Sequence, residues 1–324
     1  MARTPVAGRE HEARRRPSRV LRAQAGSFTD AMDLTTFLIQ CLNAVQYGLL
    51  LLLLASGLSL IFGIMGVINL AHGSFYMLGA YLAFSLAPLF GPQFLVMLAC
   101  GAVLAFLFGY LLEWAFFSYL YQRDHLQQVL MTYALILVFE ELRSILVGND
   151  VHGVQPPAWL AGTIALGDRM TYPTYRLFAS AACIVIAAGL YLVVNRSRLG
   201  MMVRAGASNR DMVRGLGVNI RLLYRIVFAA GVALAALAGM IAAPLSSVYP
   251  GMGGSVLIIC FVVVVIGGIG SITGALLASL MVGFVDTFGK VLPQPFDQVS
   301  GVGIYLLMAI ILIWRPEGLA RRGY

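Results

Sequence analysis

The polar groups able to do chemistry in this sequence are few, and most stand in greasy surroundings. Asn69 and His72 interrupt an apolar stretch at Gly63-Ile64-Met65-Gly66-Val67-Ile68-Asn69-Leu70-Ala71-His72-Gly73. Glu113 comes late in another apolar run, and Glu140, Glu141 and Arg143 late in a third. Polar groups at membrane depth are costly, so they face the bundle interior or a water-filled cavity, or they pair with one another. For Asn69, His72 and Gly73 two readings stand. One is an unwound or re-entrant element beside a translocation path; the other is a loop at the interface, capped by Asn69 and His72. Glu140 and Arg143 lie one turn apart, which predicts a structural pair. Ion coupling would have to use Glu113, Glu140 or Glu141.

Other chemistries lack their residues. His11, His72, His125 and His152 do not cluster as metal ligands. Cys41, Cys100, Cys183 and Cys260 fall in apolar runs, without metal or disulfide-framework spacing, and read as buried free thiols. Nothing resembles a nucleophile elbow. Gly289-Lys290 follows Gly283 at the wrong spacing for a P-loop and is followed by Val291, so ATP binding in that manner is excluded. No catalytic residue, metal or cofactor is expected.

A second interruption reads Gly267-Gly268-Ile269-Gly270-Ser271-Ile272-Thr273-Gly274. Glycine at that density weakens a helix, so a break or turn is expected there. With the Gly63–Gly73 break it makes one glycine-rich interruption in each half. Such pairs mark the transport site in repeat-built transporters. The candidate path residues are therefore Asn69, His72, Gly73, Gly267, Gly268, Gly270 and Ser271.

Between the apolar runs lies a basic stretch, Asn195 to Arg225. It holds Arg196, Arg198, Arg204, Arg210, Arg214, Arg221 and Arg225 against one acid, Asp211. Lys and Arg stay on the cytoplasmic side, so this stretch fixes the orientation. Within it Ser208-Asn209-Arg210-Asp211 reads as a helix start, Ser208 capping and Asp211 reaching back. Gly217 suits the left-handed stop. Met212, Val213 and Leu216 are expected on one face and Arg210 and Arg214 on another. A two-turn helix is unstable alone and needs a surface. It is either a docking lever for a soluble partner or a helix lying on the membrane.

The elements that must position these groups are hydrophobic throughout. Of 324 residues, 60% are hydrophobic and 11% charged, against about 25% charged in soluble domains. The class is an all-α polytopic membrane protein of about 8–9 spans (counted from apolar runs near the roughly 20 residues a crossing needs). The runs are 35–63, 67–89, 93–120, 126–147, 175–195, 226–248, 254–268, 274–290 and 298–314. The seventh and eighth are short and meet at the second glycine break. If both cross, the arginine loop and the C-terminal Arg315, Arg321 and Arg322 share the inner side. Five crossings before the loop then put Arg123 inside and 148–174 outside. Gly231, Ala235 and Gly239 form a small-residue stripe for close helix crossing. The net charge of +8 reads as topology and contact with anionic lipid, not nucleic acid. Residues 1–31 carry seven arginines and no apolar run. They are either a basic disordered tail or an extension ahead of a true start at Met32; 32–324 is the membrane domain.

Gly63 to Tyr81, with its Asn69-Leu70-Ala71-His72-Gly73 centre, resembles the opening signature of branched-chain amino acid ABC-transporter permeases, in particular the H-type of their two membrane subunits. Arg204 to Gly217-Val218-Asn219 is similar to that family's cytoplasmic loop, although Ala207-Ser208-Asn209 departs from its usual acidic or Gln-containing variants. Gly267 to Ala275 resembles its glycine-rich element, and Arg315-Pro316-Glu317-Gly318-Leu319 its ending. The resemblance runs from about residue 35 to the end.

It implies a multi-pass subunit of a bacterial inner-membrane importer for branched-chain amino acids. A second permease subunit, in a hetero- or homodimer, would complete the pore. Two cytoplasmic ATP-binding subunits would hydrolyse ATP, and a periplasmic binding protein would deliver substrate. The resemblance assigns Arg204, Ser208, Arg210, Asp211, Met212, Val213, Arg214, Leu216 and Gly217 to coupling with the ATPases. A permease for urea or short amides shares these motifs. Outside the class stand a stand-alone channel or secondary transporter, needing no ATPase, and a structural scaffold, which leaves the two glycine breaks without a purpose.

Overall fold

The computed structural model describes residues 34–121, 123–165, 171–291 and 300–320. The expected tail at 1–31 and the charges at Arg321 and Arg322 lie outside them. The described residues form helices α1 (Leu34–Met65), α2 (His72–Phe90), α3 (Phe94–Ala115), α4 (His125–Val147), α5 (Thr174–Arg196), α6 (Arg198–Ser208), α7 (Arg210–Gly215), α8 (Ile220–Ala242), α9 (Met252–Gly267), α10 (Ile272–Gly289) and α11 (Ser300–Trp314). A two-stranded antiparallel ribbon, β1 (Thr163–Ala165) and β2 (Thr171–Pro173), precedes α5. Six helices are long and apolar enough to cross a membrane, and α9 and α11 are shorter apolar helices. The length of α4, 23 residues, also suits a crossing, but it carries Glu140, Glu141 and Arg143.

Burial explains the order of layers. Leu49 to Leu54 is apolar on every side of α1, and all six leucines are at most 8% exposed; a helix apolar all round belongs in the middle. It packs against α8 and α10, and α8 in turn against α2 and α3. By contrast α5 buries only Tyr175, Ala179 and Cys183, with Phe178, Ala182, Ile186 and Ala187 half-buried beside them. The expected small-residue stripe is where α8 meets its neighbours. A β-carbon on Gly239 would stand 2.0 Å from the Tyr76 carbonyl oxygen, and one on Gly231 2.9 Å from that of Gly57. Ala235 between them is fully buried. Backbone thus lies on backbone, the contact that small residues permit inside lipid.

Two sets of contacts define the two ends of the bundle. At one, Tyr172 Oη and Arg176 Nη1 donate to Asn43 Oδ1 at 3.0 and 2.7 Å. There too, Trp159 Nε1 donates to the Pro92 carbonyl at 3.2 Å, and His152 pairs with Val248 as an isolated bridge. At the other end stand Met65, Arg210, Ser59, Gly270 and the arginine-rich stretch. The second end is the one that the arginine content marks for the cytoplasmic side under the positive-inside rule. The Gly268–Ser271 turn lies at that same end, where the Gly270 N–H meets Ser59 of α1.

The first glycine break falls inside the expected Gly63–Gly73 interruption, at residues 66–71. Helix α1 passes straight through Gly63 and ends at Met65, because the segment that leaves the helix begins at Gly66, with φ +66°. From there residues 66–71 return toward the bundle centre, and α2 starts at His72 beside Leu54. Leu54 lies 11 residues before the end of α1, or roughly 16 Å at 1.5 Å per residue. Helix α2 therefore begins deep inside the bundle and not at an interface.

Candidate translocation and coupling site

His72 is fully buried, and its Nε2 lies 3.0 Å from the Leu54 carbonyl oxygen. A carbonyl only accepts, so Nε2 carries the proton. Asn69 is also fully buried, and its Oδ1 accepts from the Ala71 N–H at 3.0 Å. That local bond makes Asn69 a turn-former. Among the described residues, His72 Nδ1 and Asn69 Nδ2 find no hydrogen-bond partner. Gly73 lets α2 touch α9: a β-carbon there would lie 2.2 Å from the Gly253 carbonyl oxygen. These three residues are therefore packed into helix contacts.

The second break is arranged differently. Gly267 is the last residue of α9, and Gly268 and Gly270 take φ +92° and +82°. Ser271 caps α10, its Oγ accepting from the Gly274 N–H at 3.0 Å. Gly270 and Ser271 line a cavity of about 290 Å³ together with Ser59 and Gly63 of α1, Tyr191 of α5 and Arg204 of α6. So Arg204, Gly270 and Ser271 share one cavity, and Gly268 forms the turn behind it. Asn69, His72 and Gly73 do not line it.

The basic stretch holds two helices where one was expected. Ser197 caps α6, its Oγ accepting from the Gly200 N–H at 3.0 Å, and Arg204 Nη1 donates back to the Val194 carbonyl of α5. Ser208 ends α6 and does not cap. The cap of α7 is Asn209, whose Oδ1 accepts from the Met212 N–H at 3.0 Å; as the last residue in helical conformation, Ser208 cannot adopt the extended cap geometry. Asp211 stays exposed in the first turn, a favourable place for a negative charge. Gly217, at φ +83°, supplies the left-handed stop as expected. The shared apolar face does not form. Val213 is 5% exposed, but Met212 and Leu216 are 65% and 78% exposed, because residues four apart share a side and the residue between points away. Arg210 reaches inward to the Met65 carbonyl at 2.9 Å and lies over the Tyr224 ring. Arg214 remains outside.

One polar cluster escaped the sequence reading. Glu113, 1% exposed, accepts from Arg225 Nε at 3.1 Å and from Tyr121 Oη at 2.7 Å. No local signal singles out this pair: Arg225 is one of seven arginines in the basic stretch and lies 112 residues from Glu113. The expected Glu140–Arg143 pair does form, at 3.3 Å. Glu113→Ala removes the acceptor that Arg225 and Tyr121 share and will cost about 1–3 kcal/mol. Thermal unfolding of the purified protein checks this, and Glu113→Ala combined with Arg225→Met should recover most of the loss.

The family model described as branched-chain amino acid transport system, permease component, matches residues 40–312. The chain belongs to that family of membrane permeases. It is 30% identical over 302 residues to the high-affinity branched-chain amino acid transport system permease protein BraD of Pseudomonas aeruginosa, covering 88% of this chain and 96% of the relative. It is 25% identical over 299 residues to the permease protein LivH of Escherichia coli K12, covering 88% and 96%. With LivM of the same bacterium the identity is 26% over 291 residues, 83% of this chain and 67% of the relative. The BraD and LivH matches bear out the H-type resemblance. No solved structure matches the chain significantly. As a branched-chain permease component the chain is a multi-pass transport component, and its cavity and two short basic helices are the features to be read as a transporter's.

Proposed function

We propose that this permease forms half of the pore of an ATP-driven importer for branched-chain or other hydrophobic amino acids in a bacterial inner membrane. A second permease subunit, of the same or another chain, completes the pore. Two cytoplasmic ATPase subunits supply the energy, since the chain has no P-loop of its own, and a periplasmic binding protein supplies the solute.

The observation that carries this reading is the pairing of a cavity with a lever at the cytoplasmic end. Helix α6 forms part of the cavity wall, and α7 follows it directly, exposing Met212, Arg214 and Leu216. A motor pressing on α7 therefore moves a wall of the cavity. Gly267, Gly268, Gly270 and Ser271 form its inner gate. Asn69, His72 and Gly73 shape the path from within the helix packing, at the depth where α2 begins. Arg204, Ser208, Arg210, Asp211, Met212, Val213, Arg214, Leu216 and Gly217 make up the coupling region. Of these, Met212, Arg214 and Leu216 touch the ATPase, and the others hold the lever in place.

The complete transporter in proteoliposomes should take up labelled leucine in an ATP-dependent way, and labelled urea at the level of empty vesicles. Uptake of urea alone would assign the chain to the amide importers. Uptake without ATP or the ATPase subunits would sink the importer reading. Charge reversal at Arg210 and Arg214 together should lower leucine uptake by roughly tenfold or more, because it repels the ATPase at Arg214 and frees the lever that Arg210 ties to the Met65 carbonyl. The bundle should stay folded, as judged by an unchanged gel-filtration profile.

A further inference from the structure

The turn Gly268–Ser271 is gripped on two sides, and the grips are unlike. On one side the chain's own end, Arg315–Ala320, folds back from α11. The Leu319 N–H donates to the Ile266 carbonyl at 2.8 Å and the Ala320 N–H to the Gly267 carbonyl at 3.2 Å. These are among the last carbonyls of α9, which find no partner within their own helix. Gly318 makes the approach possible. It sits at φ +85°, and a β-carbon on it would lie 2.5 Å from the Gly268 nitrogen. Gly318, Gly267 and Gly268 are all buried. The two glycine-containing stretches, 267–274 and 315–320, thus meet main chain to main chain.

On the other side the turn meets α1. The Gly270 N–H donates to Ser59 Oγ at 3.1 Å. A β-carbon on Gly63 would lie 3.0 Å from the Gly270 α-carbon. The cavity opens beside this contact, between α1, α5, α6 and the turn.

The two grips differ in what it takes to release them. Separating the C-terminal segment from the turn strands two buried main-chain carbonyls, and unmade buried hydrogen bonds carry the full desolvation penalty. Separating α1 from the turn breaks one bond, and the Ser59 hydroxyl can rotate to a carbonyl of its own helix, as Ser56 already does toward Leu53 at 2.9 Å. The adjoining cavity gives the parting surfaces room. We propose that the C-terminal segment and the α9–α10 turn move as one body during transport. The seam that opens then lies between this body and α1, and Ser59–Gly270 is the contact that breaks. Gly318 is a positioning residue for the gate. This rests on the proposal that the cavity is the inner end of the path.

The test uses the complete transporter in proteoliposomes, with Cys41, Cys100, Cys183 and Cys260 replaced by serine or alanine. Ile269→Cys with Glu317→Cys, bridged by a short reducible bis-thiol linker, ties the turn to the C-terminal segment. Leu60→Cys with Thr273→Cys, bridged alike, ties the turn to α1 across the cavity. The first bridge should leave ATP-driven leucine uptake within twofold of the reduced sample. The second should reduce uptake at least tenfold, with recovery on reduction. The opposite pattern, or equal sensitivity to both bridges, overturns the proposal. Gly318→Ala should lower uptake severalfold while the protein still inserts and assembles. It should also make the second bridge form more slowly, because the turn is no longer held in place; unchanged uptake and bridging in Gly318→Ala count against a positioning role. A separate arm tests the underlying reading. Ser271→Cys modified with a bulky impermeant thiol reagent from the cytoplasmic side should block uptake. Full uptake after modification sinks the path assignment, whereas the bridging pattern alone decides which seam moves.

Discussion

Leu216→Asp combined with Met212→Asp will abolish ATP-driven uptake while leaving the bundle intact. Both side chains are exposed at the arginine-rich end of the bundle, 78% and 65%, and neither supports packing within the chain. Large apolar side chains so placed are unfavourable unless a partner covers them. Central apolar residues at an interface cost about 2 kcal/mol or more when removed, which is roughly a 30-fold loss of affinity for each. Buried carboxylates are worse still. Co-purification of the ATPase subunit and leucine uptake should fall together, and the melting temperature of the permease alone should not move. Val213→Asp is the contrasting variant: it points inward at 5% exposure and should lower the melting temperature. If Leu216→Asp with Met212→Asp keeps both ATPase binding and uptake, α7 is a membrane-surface helix and the lever reading fails.

Gly79→Val will prevent the bundle from closing. A β-carbon there would stand 2.1 Å from the Ala236 carbonyl oxygen and 2.5 Å from its α-carbon. Both are backbone atoms and cannot swing aside. Helices α2 and α8 must then separate along the seam that Gly239 also serves. Overpacking on this scale costs about 3 kcal/mol. The expected result is loss of the monodisperse species on gel filtration and a melting transition many degrees lower. Gly189→Ala on α5 is the control. A β-carbon there meets nothing within 4 Å, so its melting temperature should stay within the usual small surface effect of about 0.5 kcal/mol.

The sequence announces some features of this fold more loudly than others. Apolar runs of membrane length, the small-residue stripe on α8 and the Gly217 stop were legible, since each rests on composition or local geometry. The nine runs correspond to nine helices among the described residues. What was not legible is where a chain turns when several glycines compete. Gly63 and Gly66 both offered a break, and the fold uses Gly66 because Gly63 is occupied in the approach to Gly270. The extra helix α6 escaped notice although Val203 and Ala207, four residues apart, make an inward side for it. Ser208 looked like a cap because Ser and Asn both cap well, and adjacent candidates are not separated by propensity. The deepest misses are tertiary. Glu113 with Arg225, Ser59 with Gly270 and Leu319 with Ile266 are pairs far apart in the chain, and no local pattern joins them.

The Glu113–Arg225 pair also sets a problem of timing during synthesis. The two residues are 112 positions apart, and ribosomes add about 5–20 residues per second. For roughly 6–22 s after Glu113 leaves the ribosome, its counter-ion has not yet emerged. Helix α3 must spend that interval with an unmatched carboxyl at its trailing edge, either protonated or parked among the headgroups. It can take its final depth only when α8 emerges. Docking of α8 is thus the step that commits the early helices to their places, and the newborn chain stays rearrangeable until then.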